Sequence, residues 1–491
     1  MALIPNIAEE ARIAARALAD YGTGFFNPTL RLGVTGLSRS GKTVFITALV
    51  HNLIHGGRLP VFEAMAQGRI AGARLEPQPD DAVPRFDYET HLKALLEERR
   101  WPESTRRTSE LRLVITYQSA RGSARERTLT LDIVDYPGEW LLDLPLLVTS
   151  YAQWSADTLQ RSRRGARAAL AKRWHAHLAL LDPTAPEDEQ AALKAAQLFT
   201  EYLMACRDER FAMSLLPPGR FLMPGDLEGS PALTFAPLEL PEARSAASGS
   251  LWAMMERRFE AYKDVLVRPF FRDHFARLDR QIVLVDALAA FNAGSEAVQD
   301  LEASLAAILD CFRTGRATWL SSLVRPRVDR ILFAATKADH LHHTSHDRLE
   351  RILSRLTERA IERAKFSGAL VDVVALAAVR ATREAIVERG RERLPSVIGT
   401  PMEGESTGVD AFDGASETAV FPGDLPDDPA TLFESGGPGF KGLTTASASD
   451  ADYRFLRLRP PMLRRAGDTT PTLPHIRLDR ALQFLLGDRL K

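Results

Sequence analysis

Short apolar runs recur along the chain, and most are followed by a stretch with helical spacing. The runs that predict strands lie at residues 30–35, 111–117, 128–135, 281–285, 330–335 and 370–376. Apolar strands that alternate with helices are typical of a mostly parallel sheet covered by helices on both faces. The pattern therefore predicts an α/β fold built as a three-layer sandwich.

Residues 150–278 break this alternation. Their pattern is mostly helical, with an interruption at Pro217-Pro218-Gly219. The segment is too long to be a simple connection within a compact domain. We therefore expect a helical insertion, which divides the α/β domain into a first part at 28–149 and a second part at 279–392.

The two ends of the chain have patterns of their own. Residues 1–27 contain an amphipathic stretch that predicts an N-terminal helix, and residues 475–491 predict a C-terminal helix. Between residues 393 and 474, glycine, proline, aspartate and serine dominate around short strand-like pieces. This composition predicts a small C-terminal subdomain that is rich in β-structure and loops.

The turn after the first predicted strand carries the most specific motif of the chain. The run Gly36-Leu-Ser-Arg-Ser-Gly41-Lys42-Thr43 matches the P-loop pattern and stands between a predicted strand and a predicted helix. In such a loop, backbone N–H groups surround the β-phosphate, the lysine contacts the β- and γ-oxygens, and the threonine hydroxyl binds Mg²⁺. The nucleotide-binding residues predicted from this turn are Gly36, Ser38, Arg39, Ser40, Gly41, Lys42, Thr43 and Val44.

A second motif, Asp135-Tyr-Pro-Gly138-Glu139, follows the third predicted strand. Asp135 is expected to hold a water on Mg²⁺, and the Gly138 amide is expected to bind the γ-phosphate. Glu139 is a candidate catalytic residue, although small GTPases usually have a glutamine there and an ionised carboxylate cannot donate a hydrogen bond. A switch threonine that binds Mg²⁺ is expected at Thr105, with Thr108 as the alternative and a helix cap as the ordinary role of either residue.

The fifth predicted strand ends in Thr336-Lys337-Ala-Asp339, a turn of the type that reads guanine in GTPases. The Asp339 carboxylate would accept hydrogen bonds from the guanine ring N–H and the exocyclic amine, and the Lys337 stem would lie along the base. Adenine presents the opposite pattern at this edge, so Asp339 disfavours ATP. Ala378 and Val379 follow the last strand, where a backbone amide would contact the guanine oxygen.

Two further groups of polar residues have ordinary structural explanations. The histidines after the base-reading turn are explained by capping of the following helix, with a metal site as the alternative. Asp286, at the end of the strand at 281–285, is explained by a cap on the following turn, with a catalytic role as the alternative. The histidines are His340, His342, His343 and His346.

Composition and charge narrow the setting. The chain has 63 Lys and Arg against 64 Asp and Glu, so it lacks the excess of positive charge that is typical of nucleic-acid-binding proteins. Cys206 and Cys311 form no ligand-spaced pair, as expected in a reducing cytoplasm. We find no signal peptide or membrane-spanning run, so we expect a cytoplasmic protein, attached at most to the periphery of the inner membrane.

The basic run at 161–173 is expected on a solvated helix face, with contact to anionic lipid or a protein partner as the alternative.

The motifs in their detailed form resemble those of a known family. The stretches GLSRSGKT, LDIVDYPGEW, VLVDALAAFNAG, ATKADHLHH and ALAAVRAT are similar to those of the YcjX-like family of bacterial stress-associated P-loop GTPases. The similarity extends over nearly the whole chain, including FPGDLP and YRFLRLRPP near the C-terminus. It implies a G domain that binds GTP or GDP with Mg²⁺, and a role in a phage-shock or envelope-stress response.

Arg39 stands inside the P-loop, where many small GTPases have a small residue. The surrounding sequence resembles the P-loop of guanylate-binding proteins and atlastins, in which an arginine at this place acts in cis as an arginine finger, often in a nucleotide-dependent homodimer. That resemblance makes Arg39 a candidate catalytic residue beside Lys42 and Glu139. The alternative is an ordinary surface arginine that points to solvent or pairs with an acid.

The sequence therefore predicts a GTP-hydrolysing switch. Thr336 replaces the commoner asparagine of the base-reading motif, but large GTPases of the dynamin kind also have threonine there. Two alternatives stay open: an ATPase of the same P-loop class, and a non-enzymatic nucleotide-gated scaffold whose helical insertion binds a membrane or a partner.

Overall fold

A computed structural model gives the architecture of the chain. The predicted N-terminal helix at 1–27, Ser38 and Thr105 lie outside the described residues. The structure describes residues 28–37, 39–78, 80–103, 107–120, 126–227, 229–240, 247–310, 328–366, 368–406, 411–432, 455–463 and 470–491.

Seven strands form the central sheet. They are β1 (Thr29–Gly36), β2 (Ile70–Glu76), β3 (Ser109–Gln118), β4 (Glu126–Asp135), β5 (Arg280–Val285), β6 (Arg330–Ala335) and β7 (Leu370–Ala375). Their order across the sheet is β2-β3-β4-β1-β5-β6-β7. The five strands from β4 to β7 in this order run parallel, whereas β3 pairs antiparallel with both β4 and β2. The predicted α/β class with a mostly parallel sheet is confirmed.

A second, smaller sheet is antiparallel and separate from the first. It consists of β8 (Arg383–Arg389), β9 (Glu392–Gly399) and β10 (Thr418–Val420), in the order β10-β9-β8. β8 begins before residue 393, where we expected the β-rich subdomain to start. The hairpin of β8 and β9 therefore crosses that expected boundary. β8 has no fully buried residue, so it carries little apolar signal.

Helices flank the strands, as the crossover connections of parallel pairs require. They are α1 (Lys42–Ile54), α2 (Glu63–Ala66), α3 (Tyr88–Leu96), α4 (Tyr151–Ser162), α5 (Gly165–Leu170), α6 (Lys172–Leu178), α7 (Glu189–Arg207), α8 (Gly219–Leu222), α9 (Leu251–Tyr262), α10 (Arg268–Asp273), α11 (Ala287–Ala293), α12 (Ser295–Asp310), α13 (His346–Leu356), α14 (Glu358–Phe366) and α15 (Leu478–Leu486). None of the helices in the described part of the chain is long and apolar enough to cross a membrane.

The interval between β4 and β5, residues 138–278, is called the helical segment below. It begins with a 3₁₀ stretch at Gly138–Val148 and contains α4 to α10. Aromatic side chains fill its centre: Trp154 stacks on Phe259 with ring centroids 5.1 Å apart. This centre is continuous with the apolar cluster on one face of the central sheet. The helical segment and the sheet therefore share one core.

Apolar side chains cover both faces of the central sheet. On one face, strand residues such as Leu32 and Leu284 pack with α1 and α15. On the other face, Val283 and Phe333 belong to the cluster that includes α11 to α14 and the helical segment. Neighbouring residues of β5 thus enter opposite clusters, as the alternation of side chains along a strand requires.

The basic run at 161–173 does not form one solvated face. Arg167 is buried and pairs with Asp300 of α12 at 2.7 Å, whereas Arg173 is exposed and pairs with Glu201 at 3.1 Å. A buried guanidinium needs a partner because desolvation of an isolated charge is costly. The expectation of a solvated face is therefore wrong for Arg167, which instead ties the helical segment to α12.

Candidate functional site

The predicted P-loop joins the end of β1 to the start of α1. Gly41, the residue before α1, has a φ of 83°, a left-handed conformation that favours glycine. Lys42 is buried, and its Nζ donates to the carbonyl of Gly36 at 2.9 Å. Burial lowers the pKa of Lys42, and the nearby carboxylates of Glu139 and Asp135 oppose this shift. The lysine and two acids of the second motif therefore share one site.

The end of β4 places the second motif directly against the P-loop. Asp135 pairs in register with Val34 of β1 and is buried. Gly138 lies so close to the P-loop that an added Cβ would be 1.7 Å from the carbonyl oxygen of Gly36. A larger residue would force the backbone apart, so the contact between the two motifs depends on this glycine.

Two buried oxygen donors in these motifs fit a Mg²⁺ ion. The Thr43 hydroxyl and the Asp135 carboxylate are both buried, and Mg²⁺ prefers oxygen ligands of this kind. Thr43 Oγ1 also lies 3.4 Å from the carbonyl of Glu103, which brings the loop before β3 to the site. Thr105 belongs to that loop but lies outside the described residues, and Thr108 immediately precedes β3.

The base-reading motif follows β6. Lys337 has a φ of 60°, and its Nζ pairs with Asp286 Oδ2 at 2.5 Å. Asp286 also caps α11, because its Oδ1 accepts from the Ala289 N–H at 3.1 Å. The structural cap that we expected at Asp286 is therefore confirmed, and the same carboxylate orients the lysine.

Asp339 joins the loop after β6 to the loop after β7. Its Oδ2 accepts from the Ala381 N–H at 2.8 Å, and its carbonyl accepts from the Thr382 hydroxyl at 2.5 Å. In the loop after β7, Val379 is buried and Ala378 is half-buried. These contacts bring the carboxylate of the base-reading turn next to the loop whose amide was expected to contact guanine.

Comparison with known proteins agrees with these motifs. The chain matches the model of the YcjX-like family, DUF463, over residues 30–490. It belongs to the YcjX-like family. It is 38% identical over 478 residues to "Ras-like GTPase YcjX" of Escherichia coli (strain K12), which covers 94% of this chain and 96% of that protein. It is 34% identical over 484 residues to "Ras-like GTPase YcjX" of Shewanella oneidensis, with 94% and 95% covered. The resemblance found in the sequence is thus confirmed.

In this YcjX-like protein, an arginine that the sequence does not single out reaches the second motif. Arg207 Nη2 lies 3.1 Å from Glu139 Oε1, and the two side chains are 22% and 6% exposed. Arg207 is the last residue of α7 and is far from Glu139 along the chain. No motif or spacing marks it, so the sequence does not predict this basic residue next to the second motif.

Arg39 of this YcjX-like protein belongs to an ion-pair network at the surface. It has a φ of 62°, and its guanidinium pairs with Glu209 at 2.8 Å. Glu209 also pairs with Arg457 at 3.3 Å, and Arg457 pairs with Glu405 at 2.6 Å. This placement is what the alternative of an ordinary surface arginine predicts for Arg39.

Three of the four histidines after the base-reading turn fall into two groups by their contacts. His346 Nε2 donates to a carbonyl inside the turn at 2.9 Å, which is a structural role. The ligand atoms of His342, His343 and Glu384 lie within 4.8 Å of one another. However, Arg380 pairs with the same Glu384 carboxylate at 3.4 Å, and this positive charge opposes a cation there. The contacts therefore favour capping and ion pairing over a metal site.

Proposed function

We propose that this protein binds GTP and GDP with Mg²⁺ and hydrolyses GTP as a nucleotide-dependent switch. One observation carries the proposal: the three motifs leave the sheet at one edge. β1, β4 and β6 run parallel, so the turns after Gly36, Asp135 and Ala335 follow carboxyl ends of strands, where ligands bind in open α/β sheets. The relatives named "Ras-like GTPase YcjX" support the same function.

The P-loop would hold the phosphates. Backbone N–H groups between Gly36 and Val44 would surround the β-phosphate, and the N-terminus of α1 adds a positive field. Lys42, whose Nζ already lies inside the loop against the Gly36 carbonyl, would contact the β- and γ-oxygens. The Gly138 N–H would bind the γ-phosphate, and its contact with Gly36 supports this role.

Thr43 and Asp135 would hold Mg²⁺, together with the switch threonine at Thr105. Bound by these residues, Mg²⁺ would supply positive charge for phosphoryl transfer. At the other end of the site, Asp339 and Lys337 would bind guanine. Their contacts with the Ala381 N–H and with Asp286 hold both side chains in place.

Hydrolysis transfers the γ-phosphoryl group to water. The water oxygen forms a bond to the γ-phosphorus, the bond to the bridging oxygen breaks, and the electron pair of that bond goes to the β-phosphate. Both protons of the water leave with the inorganic phosphate. Glu139 would orient the water, because its carboxylate can accept a hydrogen bond from it.

The switch is proposed to act in a bacterial stress response, as the family resemblance implies. The protein would work in the cytoplasm or at the periphery of the inner membrane, with a stress-response protein as partner and a nucleotide-dependent homodimer as a further state. Its parts would be a G domain at 28–149 and 279–392, the insertion at 150–278, the β-rich subdomain at 393–474 and a C-terminal helix at 475–491.

Calorimetric titration with GTP, GDP and ATP in the presence of Mg²⁺ tests the nucleotide class. We expect tight binding of the guanine nucleotides alone, and phosphate release over many turnovers with GTP. Tight binding of ATP would favour the ATPase alternative. Binding of GTP without turnover would favour the non-enzymatic scaffold.

Lys42→Ala is expected to abolish tight binding of GTP, because it removes the ammonium group that the P-loop directs at the β- and γ-oxygens. Lys194→Ala, on the exposed side of α7, is a matched control that is expected to bind GTP normally. Titration of both variants measures the difference. GTP affinity of Lys42→Ala equal to that of the native protein would contradict the P-loop assignment.

A further inference from the structure

The C-terminal end of α7 contacts both phosphate-binding motifs. Arg207 pairs with Glu139 of the second motif at 3.1 Å. Two residues further on, Glu209 pairs with Arg39 of the P-loop at 2.8 Å. The helical segment therefore brings one short stretch of chain to the place where the β- and γ-phosphates would bind.

The Arg207–Glu139 pair is more enclosed than its neighbour at the surface. Its side chains are 22% and 6% exposed, whereas both members of the Arg39–Glu209 pair are 48% exposed. Taking a guanidinium and a carboxylate out of water is costly unless each is paired. Arg207 is therefore a partly enclosed cation held beside the second motif.

The backbone around Glu139 fixes this arrangement. Gly138 lies against the Gly36 carbonyl on one side. On the other side, a Cβ added to Gly219 would be 1.8 Å from the Glu139 carbonyl oxygen. The Gly219 N–H also donates to the buried Asp143 carboxylate at 2.7 Å. Glu139 is thus held between the P-loop and the helical segment, and it fixes the guanidinium of Arg207 beside both.

We propose that Arg207 is a catalytic arginine of GTP hydrolysis, supplied in cis by the helical segment and positioned by Glu139. The inference rests on the proposed function, because it concerns the same phosphate site. A guanidinium suits this role since it keeps its charge and binds phosphate oxygens through two N–H groups. As the bond between the γ-phosphorus and the bridging oxygen breaks, Arg207 neutralises the charge that grows on the β-phosphate.

This assignment changes the roles of two residues that the sequence nominates as catalytic. Glu139 takes the place of the usual glutamine, and its carboxylate holds Arg207 next to Gly138, the residue that contacts the γ-phosphate. Arg39 keeps the end of α7 against the P-loop through its pair with Glu209. The arginine of the P-loop and the arginine of α7 are then separable by mutation.

Arg207→Ala and Arg207→Lys test the proposal, with Arg173→Ala as the matched control. Arg173, on α6, forms an exposed pair with Glu201 of α7, the helix that ends at Arg207. Arg207→Ala is expected to slow single-turnover GTP hydrolysis by about 10³-fold or more. Its affinity for a non-hydrolysable GTP analogue is expected to stay nearly unchanged. Arg207→Lys keeps the charge but not the planar fork, so only a small part of the rate should return. Arg173→Ala is expected to hydrolyse GTP at the native rate.

Binding of GDP with aluminium fluoride, which mimics the γ-phosphoryl group in transfer, separates a catalytic role from a structural one. Loss of this complex in Arg207→Ala, with GDP affinity and unfolding temperature retained, supports the proposal. GTP turnover at the native rate in either Arg207 variant overturns the proposal. So does a loss of turnover in Arg39→Ala while the Arg207 variants keep theirs. If Arg207→Ala does not fold, the turnover of Arg207→Lys decides. Absence of GTP hydrolysis by the native protein would instead contradict the proposed function itself.

Discussion

Asp339 and Gly138 each contact the backbone of a neighbouring loop, and these contacts hold the two residues in place. Asp339 accepts from the Ala381 N–H at 2.8 Å, which joins the loop after β7 to the base-reading turn. Gly138 lies against the Gly36 carbonyl, which joins the second motif to the P-loop. A substitution at Asp339 tests recognition of the base, and a substitution at Gly138 tests the contact between the second motif and the P-loop.

Asp339→Asn is expected to weaken the binding of GTP and GDP and to strengthen the binding of xanthine nucleotides. The asparagine carbonyl can still accept from the Ala381 N–H, so the loop contact is kept. Its amide can donate to the xanthine oxygen that replaces the amine of guanine, which reverses the preference. Titration with GTP and with xanthosine triphosphate measures the exchange. Unchanged affinity for GTP would mean that the base is read elsewhere.

Gly138→Ala is expected to lower the free energy of unfolding by about 1–3 kcal/mol, because the methyl group overlaps a backbone oxygen and the chain must shift. GTP affinity should fall with it, since the P-loop is the neighbour that moves. Gly72→Ala in β2 is the control, because no atom lies within 4 Å of the Cβ it adds. Urea denaturation compares them. An equal free energy of unfolding in the two variants would show that the close contact between Gly138 and the P-loop contributes little to stability.

The candidate site is predictable from the sequence where its chemistry is local. The runs Gly36–Thr43, Asp135–Glu139 and Thr336–Asp339 each carry their functional groups on consecutive residues. Arg207 has no such context, since it reaches Glu139 through the packing of α7. Its position could not be read from the chain because nothing in the order of residues shows which end of a helix will face the P-loop.

Elements with a strong apolar pattern are the ones whose limits the sequence predicts closely. The strand expected at 330–335 is β6 itself. In contrast, the sequence predicts no strand at Ile70–Glu76, because this edge strand contains Gly72 and has no fully buried residue. α3 begins at Tyr88 because the side chain of Asp87 caps its first turn. Edges and caps therefore depend on neighbours that a pattern of apolar residues does not show.

The carboxyl group of Asp143, in the 3₁₀ stretch at Gly138–Val148, bonds to two later parts of the helical segment. Asp143 accepts from the Gly219 N–H at 2.7 Å and from the Tyr262 hydroxyl at 2.6 Å. Burial raises the pKa of Asp143 to about 6, above the usual range of an aspartate. The junction between these elements is therefore expected to respond to mild acid.

Asp143→Asn is expected to remove one part of the pH dependence of stability. Between about pH 4 and pH 6 the folded protein keeps a proton on Asp143 that the unfolded chain has lost, so this group makes the free energy of unfolding fall as pH rises, by up to about 3 kcal/mol. Asp157→Asn, on the exposed side of α4, should retain the native dependence. Urea denaturation across this pH range measures the slopes. Identical slopes in all three proteins would contradict the assignment.

At the scale of the whole molecule, the C-terminal helix α15 closes one face of the central sheet. Leu482 and Leu486 are fully buried in the cluster that also contains α1. The fully buried Arg280 of β5 donates to Asp488 at 2.6 Å and to Asp329 at 3.0 Å. The apolar spacing of the last residues predicts this helix but not its place, because its partners lie far away in the sequence.

Hydrogen exchange is expected to report the nucleotide state across the helical segment. Gly138, Glu139, Gly219 and Arg207 form one set of contacts, so a shift of the Gly138 turn on loss of the γ-phosphate must be taken up by the attached helices. Exchange in the helical segment should be slower with a non-hydrolysable GTP analogue than with GDP, while α15 provides an internal reference. Matching profiles in the two states would make the segment a static platform.

If the end of α7 couples the helical segment to the phosphate site as proposed, this coupling acts in both directions. A partner that prefers the helical segment of the GTP-bound form must strengthen the hold on GTP by the same factor. A partner that draws Arg207 away would leave GTP in place but uncleaved, and would so prolong the signal rather than end it. A GTPase that carries its own catalytic arginine needs no second protein to hydrolyse its GTP. A partner that displaces Arg207 would therefore lengthen the lifetime of the GTP-bound state.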